Sequence, residues 1–341
     1  MKYIKIVLPF LIAVVLIGCD HRVKMETVLN DDDSIDRTII LEGDSAEINT
    51  NYFGINDKSG WSISVDKNDT TKNKDLTISY VKHFNTIEES NTELNNGNDT
   101  LFHIEAKLEK RFRWFYTYTT YSDTYKAIDR FKLLNQHDYL TPEDYQFMDR
   151  LPPEGDSISK ADELFLEDLA TKINDVLVPH AVYEEHFAVF QSMIDRYQME
   201  PRWKDTLQQH KESIFKHLLK HDDLGDDGLL TVLDSLQIPF PHPQVDEDYK
   251  NESKPIEARF DFMSYANNGK YIHSIQMPGE IIDSNADSLV SNYAFWKPNV
   301  FKFLAKDYTM YAETRKLNWW AVIVSVLVLL STVLVFIKKR D

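Results

Sequence analysis

Residues 102–121 read FHIEAKLEKRFRWFYTYTTY, and the fold class follows from how this stretch is patterned. Phe102, Ile104, Ala106, Leu108, Phe112, Trp114, Tyr116 and Tyr118 alternate with His103, Glu105, Lys107, Glu109, Arg111, Arg113, Thr117 and Thr119. A period of two puts one set on a buried face and the other in water, which is a strand pattern. The run is longer than an ordinary strand, so a bend or bulge is expected along it. Its aromatic part, Phe112 to Tyr121, reads as core and cross-strand pairs, with the lining of an apolar ligand pocket as the other reading. Phe115 falls on the otherwise polar face and marks a candidate contact surface.

Outward from this stretch the pattern changes twice. On its N-terminal side, Thr38-Ile39-Ile40-Leu41, Trp61-Ser62-Ile63-Ser64-Val65 and Leu76-Thr77-Ile78-Ser79-Tyr80-Val81 are strand-like runs bounded by Gly, Asn and Asp. Residues 19–36, polar and carrying Asp31-Asp32-Asp33, read as a tether. On its C-terminal side the period becomes helical through residues 122–238. Thr141-Pro142-Glu143-Asp144 has the composition of a helix start. Leu166, Leu169, Ala170, Ile173, Val176 and Leu177 form an apolar stripe that Pro179 is expected to stop. Tyr183, Phe187, Phe190, Ile194 and Tyr197 form a second stripe, and Leu207, Ile214 and Leu218 a third. Residues 239–256, Pro-rich and then acidic, have linker composition. In residues 257–317 strand signals return. Arg259 to Tyr265 and Lys270 to Met277 flank Asn267-Asn268-Gly269, a hairpin-turn composition. Tyr293 to Trp296 and Phe301 to Leu304 add further β-like sequence.

The simplest assembly is an α+β domain. Its antiparallel sheet is built from both ends of the chain, residues 37–121 and 257–317, around an inserted helical block. Two domains in series is the other arrangement. The insertion reading implies that neither strand half folds alone.

Two apolar segments bear on location. Behind Lys2 and Lys5, the run from Ile6 to Ile17 is too short to span a bilayer and fits a secretory signal peptide over residues 1–18. It ends in Leu16-Ile17-Gly18-Cys19, which resembles the lipobox of bacterial lipoproteins; the resemblance implies that Cys19 is acylated. Cys19 is the single cysteine of the chain, so no intramolecular disulfide and no multi-cysteine metal site is available. Asn68, Asn98 and Asn251 sit in glycosylation sequons, but an exported eukaryotic domain of this size without a disulfide would be unusual, and we read them as chance. Residues 319–337 are free of charge and, at the helical rise, span about 28 Å. Trp319 and Trp320 suit an interfacial belt, and Lys338-Lys339-Arg340 follows as a basic stop within a cytoplasmic tail of residues 338–341. The expected location is a bacterial cell membrane, inner rather than outer, with the ectodomain extracytoplasmic.

The segment from His273 through Pro278-Gly279 and Asn285 to Asp287, followed by Tyr293-Ala294-Phe295-Trp296, is similar to an element of bacterial envelope lipoproteins, the LppM-like group. The resemblance implies an α/β ectodomain associated with lipid binding and no catalytic residue. Read from the residues themselves, Pro278-Gly279 is a turn and Trp296 fills core.

A formal charge of −17 argues against nucleic acid as a partner, since phosphates require a basic surface. His210, His217 and His221 fall on one helix, with His217 and His221 spaced to share a metal beside Asp222 or Asp223; no third ligand is fixed by spacing, and histidines bordering an apolar face is the plainer reading. His180 and His186 point to different faces and do not form a zinc pair. Asp223, Gly225, Asp227, Gly228 and Asp234 partly imitate a calcium loop, but Gly225 offers no side-chain ligand. No phosphate loop, nucleophile elbow or dinucleotide fingerprint occurs. The expectation is a non-enzymatic envelope lipoprotein with a structural or protein-interaction role, no catalytic or metal site and no cofactor. Its partners would be the bilayer and an envelope protein, with a lipid or other amphiphile as the alternative ligand.

Overall fold

The computed structural model describes residues 21–45, 48–55, 60–69, 74–95, 97–221, 231, 236–241 and 243–339. The first strand, β1 (Arg22–Leu29), lies inside the stretch whose composition suggested a tether. Val23, Met25, Thr27 and Leu29 are buried while Arg22 and Glu26 face water, so a strand with a charged outer face has the overall polarity of a linker. Asp31 to Asp33 form the turn into β2 (Ile35–Asp44), where Asp33 takes a positive φ of 73°. After β3 (Ser62–Asp69) and β4 (Lys74–Phe84) comes α1 (Ile87–Leu94), started by the Thr86 side chain, which accepts from the Glu89 N–H.

The alternating stretch is a hairpin and not one bent strand. β5 (Ile104–Phe112) reverses at Trp114 and Phe115 into β6 (Tyr116–Tyr125), pairing Ile104 with Tyr125 and Phe112 with Thr117. The outer edge of β5 is covered by α1. Asn91 Nδ2 donates to Ala106 O at 2.8 Å, and the Ala106 N–H donates to Asn91 Oδ1 at 2.7 Å, so a side chain satisfies the edge as a further strand would.

The chain divides into two compact units, one of Ile128–Asn268 and one of His21–Ala127 with Gly269–Asp341. In the first, α2 (Pro142–Arg150) opens with the expected capping box: the Asp144 N–H donates to Thr141 Oγ1 and the Thr141 N–H to Asp144 Oδ2. α3 (Lys160–Thr171) is not stopped before Pro179. It runs through a π-helical segment, Lys172–Leu177, into α4 (Val178–Arg196). There the Val178 N–H donates to Ile173 O, a wider turn that makes room for a proline ring in the next position. α5 (Pro201–His221) follows, and then α6 (Gln244–Asn267).

α6 corrects three expectations at once. The acidic part of the expected linker, the strand from Arg259 to Tyr265 and the approach to the Asn267-Asn268-Gly269 turn are one helix, with Pro255 inside it. Val245, Tyr249, Ser253, Ile256, Arg259, Phe262, Met263 and Ala266 are its buried residues, spaced as a helical face. Tyr249 and Val245 join Phe187, Phe190, Leu207, Ile214 and Leu218 in the core of this unit. Within it, Arg259 of α6 pairs with Glu185 of α4, both buried, and Glu185 also accepts from the Lys132 N–H at 3.0 Å.

The second unit is completed by β7 (Lys270–Gln276), β8 (Ile281–Ser284), β9 (Ser288–Val290), β10 (Tyr293–Trp296) and β11 (Tyr308–Leu317). Phe301 to Leu304 form a 3-10 turn over Val300–Lys302 and no strand; Phe303 and Leu304 are buried from it. A seven-stranded sheet has the order β3-β4-β2-β1-β7-β10-β9, and a four-stranded sheet the order β5-β6-β11-β8. Both therefore combine strands from the two ends of the chain, as expected for an α+β fold with an inserted helical block. The ladder that joins the halves of the larger sheet, β1 with β7, is parallel, because the insert returns the chain to the same end from which β1 starts. Gly269 leaves room for two side chains beside that return: a Cβ there would lie 2.8 Å from both His21 Nε2 and Tyr271 Oη and would have to displace them. The last helix, α7 (Trp319–Lys338), follows β11 after one residue.

Candidate membrane-facing site

The tip of the β5–β6 hairpin and the start of α7 are built together. The Arg113 N–H donates to Tyr116 O at 2.7 Å and the Tyr116 N–H returns to Arg113 O at 3.2 Å, which leaves Trp114 and Phe115 at the reversal. β11 ends with Leu317 opposite Tyr116, so Asn318 emerges beside that reversal. Its backbone N–H donates to Phe115 O at 2.8 Å, and its Nδ2 donates to Arg113 O at 2.9 Å and Trp114 O at 3.3 Å. Its Oδ1 accepts from Thr117 Oγ1 at 2.9 Å. A residue at this position normally turns its side chain onto the first N–H groups of the helix. Asn318 makes no such bond; its side chain is spent on the hairpin.

The contact continues down the helix. Trp114 Nε1 donates to Ser325 Oγ at 2.9 Å, Trp320 stacks on Phe112 at 5.9 Å, and Trp320 meets Trp114 edge-on at 5.5 Å. Ala321 is the buried residue of α7, and the rest of the helix is exposed or half-buried. The helix is long and apolar enough to cross a membrane. Above the tip, Arg111 pairs with Glu313, Arg315 lies over the Tyr116 ring at 5.3 Å, and Lys316 pairs with Asp31 at 3.0 Å.

The same unit holds a buried polar cluster. Arg37 from β2 and Asp123 from β6, both fully buried, meet between the two sheets with Nη2 to Oδ1 at 2.6 Å and Nη1 to Oδ2 at 3.1 Å. Asp123 also accepts from Tyr121 Oη at 2.9 Å and from Thr27 Oγ1 at 3.0 Å. Arg37 Nε donates to Ser90 Oγ of α1 at 3.0 Å. His273 of β7 brings Nε2 to 3.1 Å from Asp123 Oδ2, an ion-pair distance without hydrogen-bond alignment, while its Nδ1 lies 3.2 Å from Tyr125 Oη. Burial pushes the Asp123 carboxyl up, but the Arg37 guanidinium, with His273 adding to it, holds it well below the usual carboxylate range. Burial raises the Tyr121 and Tyr125 hydroxyls far above their ordinary values. A carboxylate so stabilised and closed off is fitted to fastening β1, β2, β6, β7 and α1 together. Composition alone did not disclose this cluster, yet a signal existed. Arg37 is in phase with Ile35, Ile39 and Leu41, and Asp123 with Tyr121 and Tyr125, so each charge stands on the buried face of its strand.

The residues singled out from sequence fall in separate places. Cys19 and the expected signal peptide lie outside the described residues, as do Asp222, Asp223 and the residues expected to imitate a calcium loop. The His217 and His221 rings lie 4.6 Å apart and tilted by 47° near the end of α5, and among the described residues no group of three His, Cys, Asp or Glu is placed to hold a metal ion. His180 Nδ1 lies 2.9 Å from Val176 O with its ring on Phe215, whereas His186 is buried with Nδ1 2.7 Å from Tyr249 Oη. Trp296 is fully buried, and its Nε1 donates to Asn285 O at 3.0 Å and Oδ1 at 3.1 Å. Asn285 in turn holds β11, through Thr309 O at 2.7 Å and the Tyr311 N–H at 2.9 Å. The aromatic run divides: Tyr121 is core, while Phe112, Trp114, Phe115 and Tyr116 are exposed around the hairpin tip.

No family model matches this chain, and no curated protein does. Among solved structures it is similar to the NMR structure of the folded domain of LppM from Mycobacterium tuberculosis, at 10% sequence identity over 88% of this chain and 92% of that chain, with a TM-score of 0.30.

Proposed function

We propose that this chain is a bacterial envelope lipoprotein, held by an acylated Cys19 and by α7, whose exported units have a non-enzymatic, structural or protein-interaction role beside the inner membrane. One observation carries the reading. β11 passes into α7 through Asn318 alone, and Asn318 is bonded to the β5–β6 hairpin, so the sheet unit stands on an apolar helix with no linker between them. A module meant to range away from its anchor needs a flexible tether; a stiff foot suits a fixed station at the bilayer. The Arg37–Asp123 cluster supports a structural role, since its groups are committed to one another. The second reading, a binder of lipid or another amphiphile, draws on the exposed aromatics Phe112, Trp114 and Trp320 next to the helix.

Expression of the full chain in a bacterium fed a clickable palmitate analogue tests the anchors. Label is expected on the unmodified chain and not on Cys19→Ala, while both stay in carbonate-washed membranes through α7. Replacing residues 1–18 by a signal peptide that is cleaved without acylation, and ending this Cys19→Ala chain after Leu317, is expected to release it as a soluble exported protein. Native mass spectrometry of the full chain from an envelope extract then separates the two roles. A protein co-purifying at fixed stoichiometry supports the first, and a stoichiometric lipid mass supports the second.

A further inference from the structure

From the fit of the hairpin against α7 we infer that the β5–β6 tip is a lipid-contacting wedge: Phe115 lies within the interface of the bilayer that α7 spans, and the Trp114 indole reaches past it toward the acyl chains. This rests on the reading of α7 as membrane-spanning. Length decides the depth. A hydrocarbon core of about 30 Å needs some 20 helical residues, and α7 has 20. The whole helix is therefore required, with Trp319 at one boundary and Lys338 at the other. Ser325 is six residues past Trp319, about 9 Å along the axis, and Trp114 donates to it. If the tip stayed in water, α7 would enter the bilayer only after Ser325. The residues from there to Ile337 would then cover about 18 Å, far short of the span.

The carbonyls of the tip fit that depth. Backbone polar groups placed among acyl chains must be satisfied from within the protein. All three carbonyls of the reversal, those of Arg113, Trp114 and Phe115, accept from Asn318, which forgoes capping its own helix to do so. The indole N–H of Trp114 has its partner in Ser325. The outward side chains of the reversal and of the adjoining turn of α7 are apolar, Trp114 48% exposed, Phe115 45% and Trp320 52%, while Arg113, exposed at the base of the turn, has a long apolar stem that lets its cation reach back to the headgroups. An aromatic belt of this kind is favoured at the headgroup boundary, and Arg315 and Lys316 stand just above it, where their cations meet phosphates. The occupant that covers this surface is thus the lipid around α7. Its outward faces continue those of a helix that lipid already surrounds.

Site-specific quenching reads the depth directly. In the full chain carrying Cys19→Ser, single cysteines at Phe115→Cys, Lys107→Cys and Ser331→Cys are labelled with an environment-sensitive fluorophore. The proteins are reconstituted in phosphatidylethanolamine–phosphatidylglycerol vesicles containing doxyl-labelled lipid. Phe115 is bound only through its backbone, so its replacement leaves the Asn318 bonds in place. Lys107 on β5 is seven residues from the tip, about 23 Å up the strand, and exposed. The label at 115 is expected to be blue-shifted and quenched several-fold more by doxyl lipid than the label at 107, and to be shielded from aqueous iodide. A label at 115 that iodide quenches as freely as at 107, while the label at 331 is quenched by lipid, overturns the wedge and leaves the spanning helix standing. If the label at 331 is also untouched by lipid, both readings fall together.

Discussion

Removing the Asp123 carboxylate would strand a guanidinium that the fold has closed off from water. Asp123→Ala leaves Arg37 with Ser90, Thr27 and Tyr121 but no counter-charge, and breaking a buried pair of this kind costs about 3–5 kcal/mol. Urea unfolding of the full chain in detergent at pH 7 is expected to show that loss. The pH dependence has a definite sign. The folded Asp123 carboxyl lies below its unfolded value of about 3.9, so its contribution is complete above that pH and disappears as the pH falls through the folded value. Asp129, in the helical unit, behaves oppositely. It is buried, its Oδ2 has no hydrogen-bond partner among the described residues, and burial pushes its carboxyl up to about 8. An acid raised on folding contributes stability that is full below about pH 4 and is lost, by about 1.4 kcal/mol per unit, as the pH rises to about 8. Asp129→Asn is therefore expected to unfold at higher denaturant at pH 8 than the unmodified chain and to flatten the slope between pH 5 and 8. An unchanged slope would remove Asp129 as its source.

The elements that were legible in the sequence are those whose local chemistry and tertiary burial agree. Thr141 and Asp144 announce α2 because the cap forms from adjacent residues alone. The hairpin was not legible as a hairpin, since Arg113-Trp114-Phe115-Tyr116 contains no Gly, Asn, Asp or Pro to signal a turn. Its reversal is held from outside by Asn318, two hundred residues away in sequence. α6 was masked by Pro255 and by Arg259, a charge at a position that burial reserves for apolar groups; the partner that makes Arg259 tolerable is Glu185 of another helix. The same logic gives a test of the hairpin. Asn318→Ala removes the bonds to Arg113, Trp114 and Thr117 together while leaving the backbone bond to Phe115. The expected cost is about 1–3 kcal/mol, read as a lower melting temperature of the full chain in detergent and faster amide exchange across Arg113 and Tyr116. Unaltered exchange there would mean that the β ladder holds the tip without Asn318.

Across the whole chain, the two sheets make the ends of the protein depend on each other. Arg22 to Val28 pair with Lys270 to Gln276 in one sheet, and Tyr116 to Tyr125 pair with Tyr308 to Leu317 in the other. A fragment of residues 21–127 would therefore present β1 and β6 as long, unpaired edges, the form in which strands aggregate rather than fold. It would also leave Asp123 without His273. The helical unit has no such debt: α4, α5 and α6 bury Phe190, Met193, Leu207, Val245 and Tyr249 against one another within residues 128–268. These partners lie within one continuous stretch of chain, so the unit can fold once that stretch is complete, whereas the sheet unit must wait for strands made after the insert. Residues 128–268 expressed alone are expected to give a helical spectrum and a cooperative melt, and residues 21–127 alone to give neither. Adding residues 269–317 in trans is expected to restore a cooperative transition to the second fragment, because the missing partners of β1 and β6 lie there. If 21–127 melts cooperatively without that partner, the strand halves are separate domains in series, and the joint ladders are not what stabilises them.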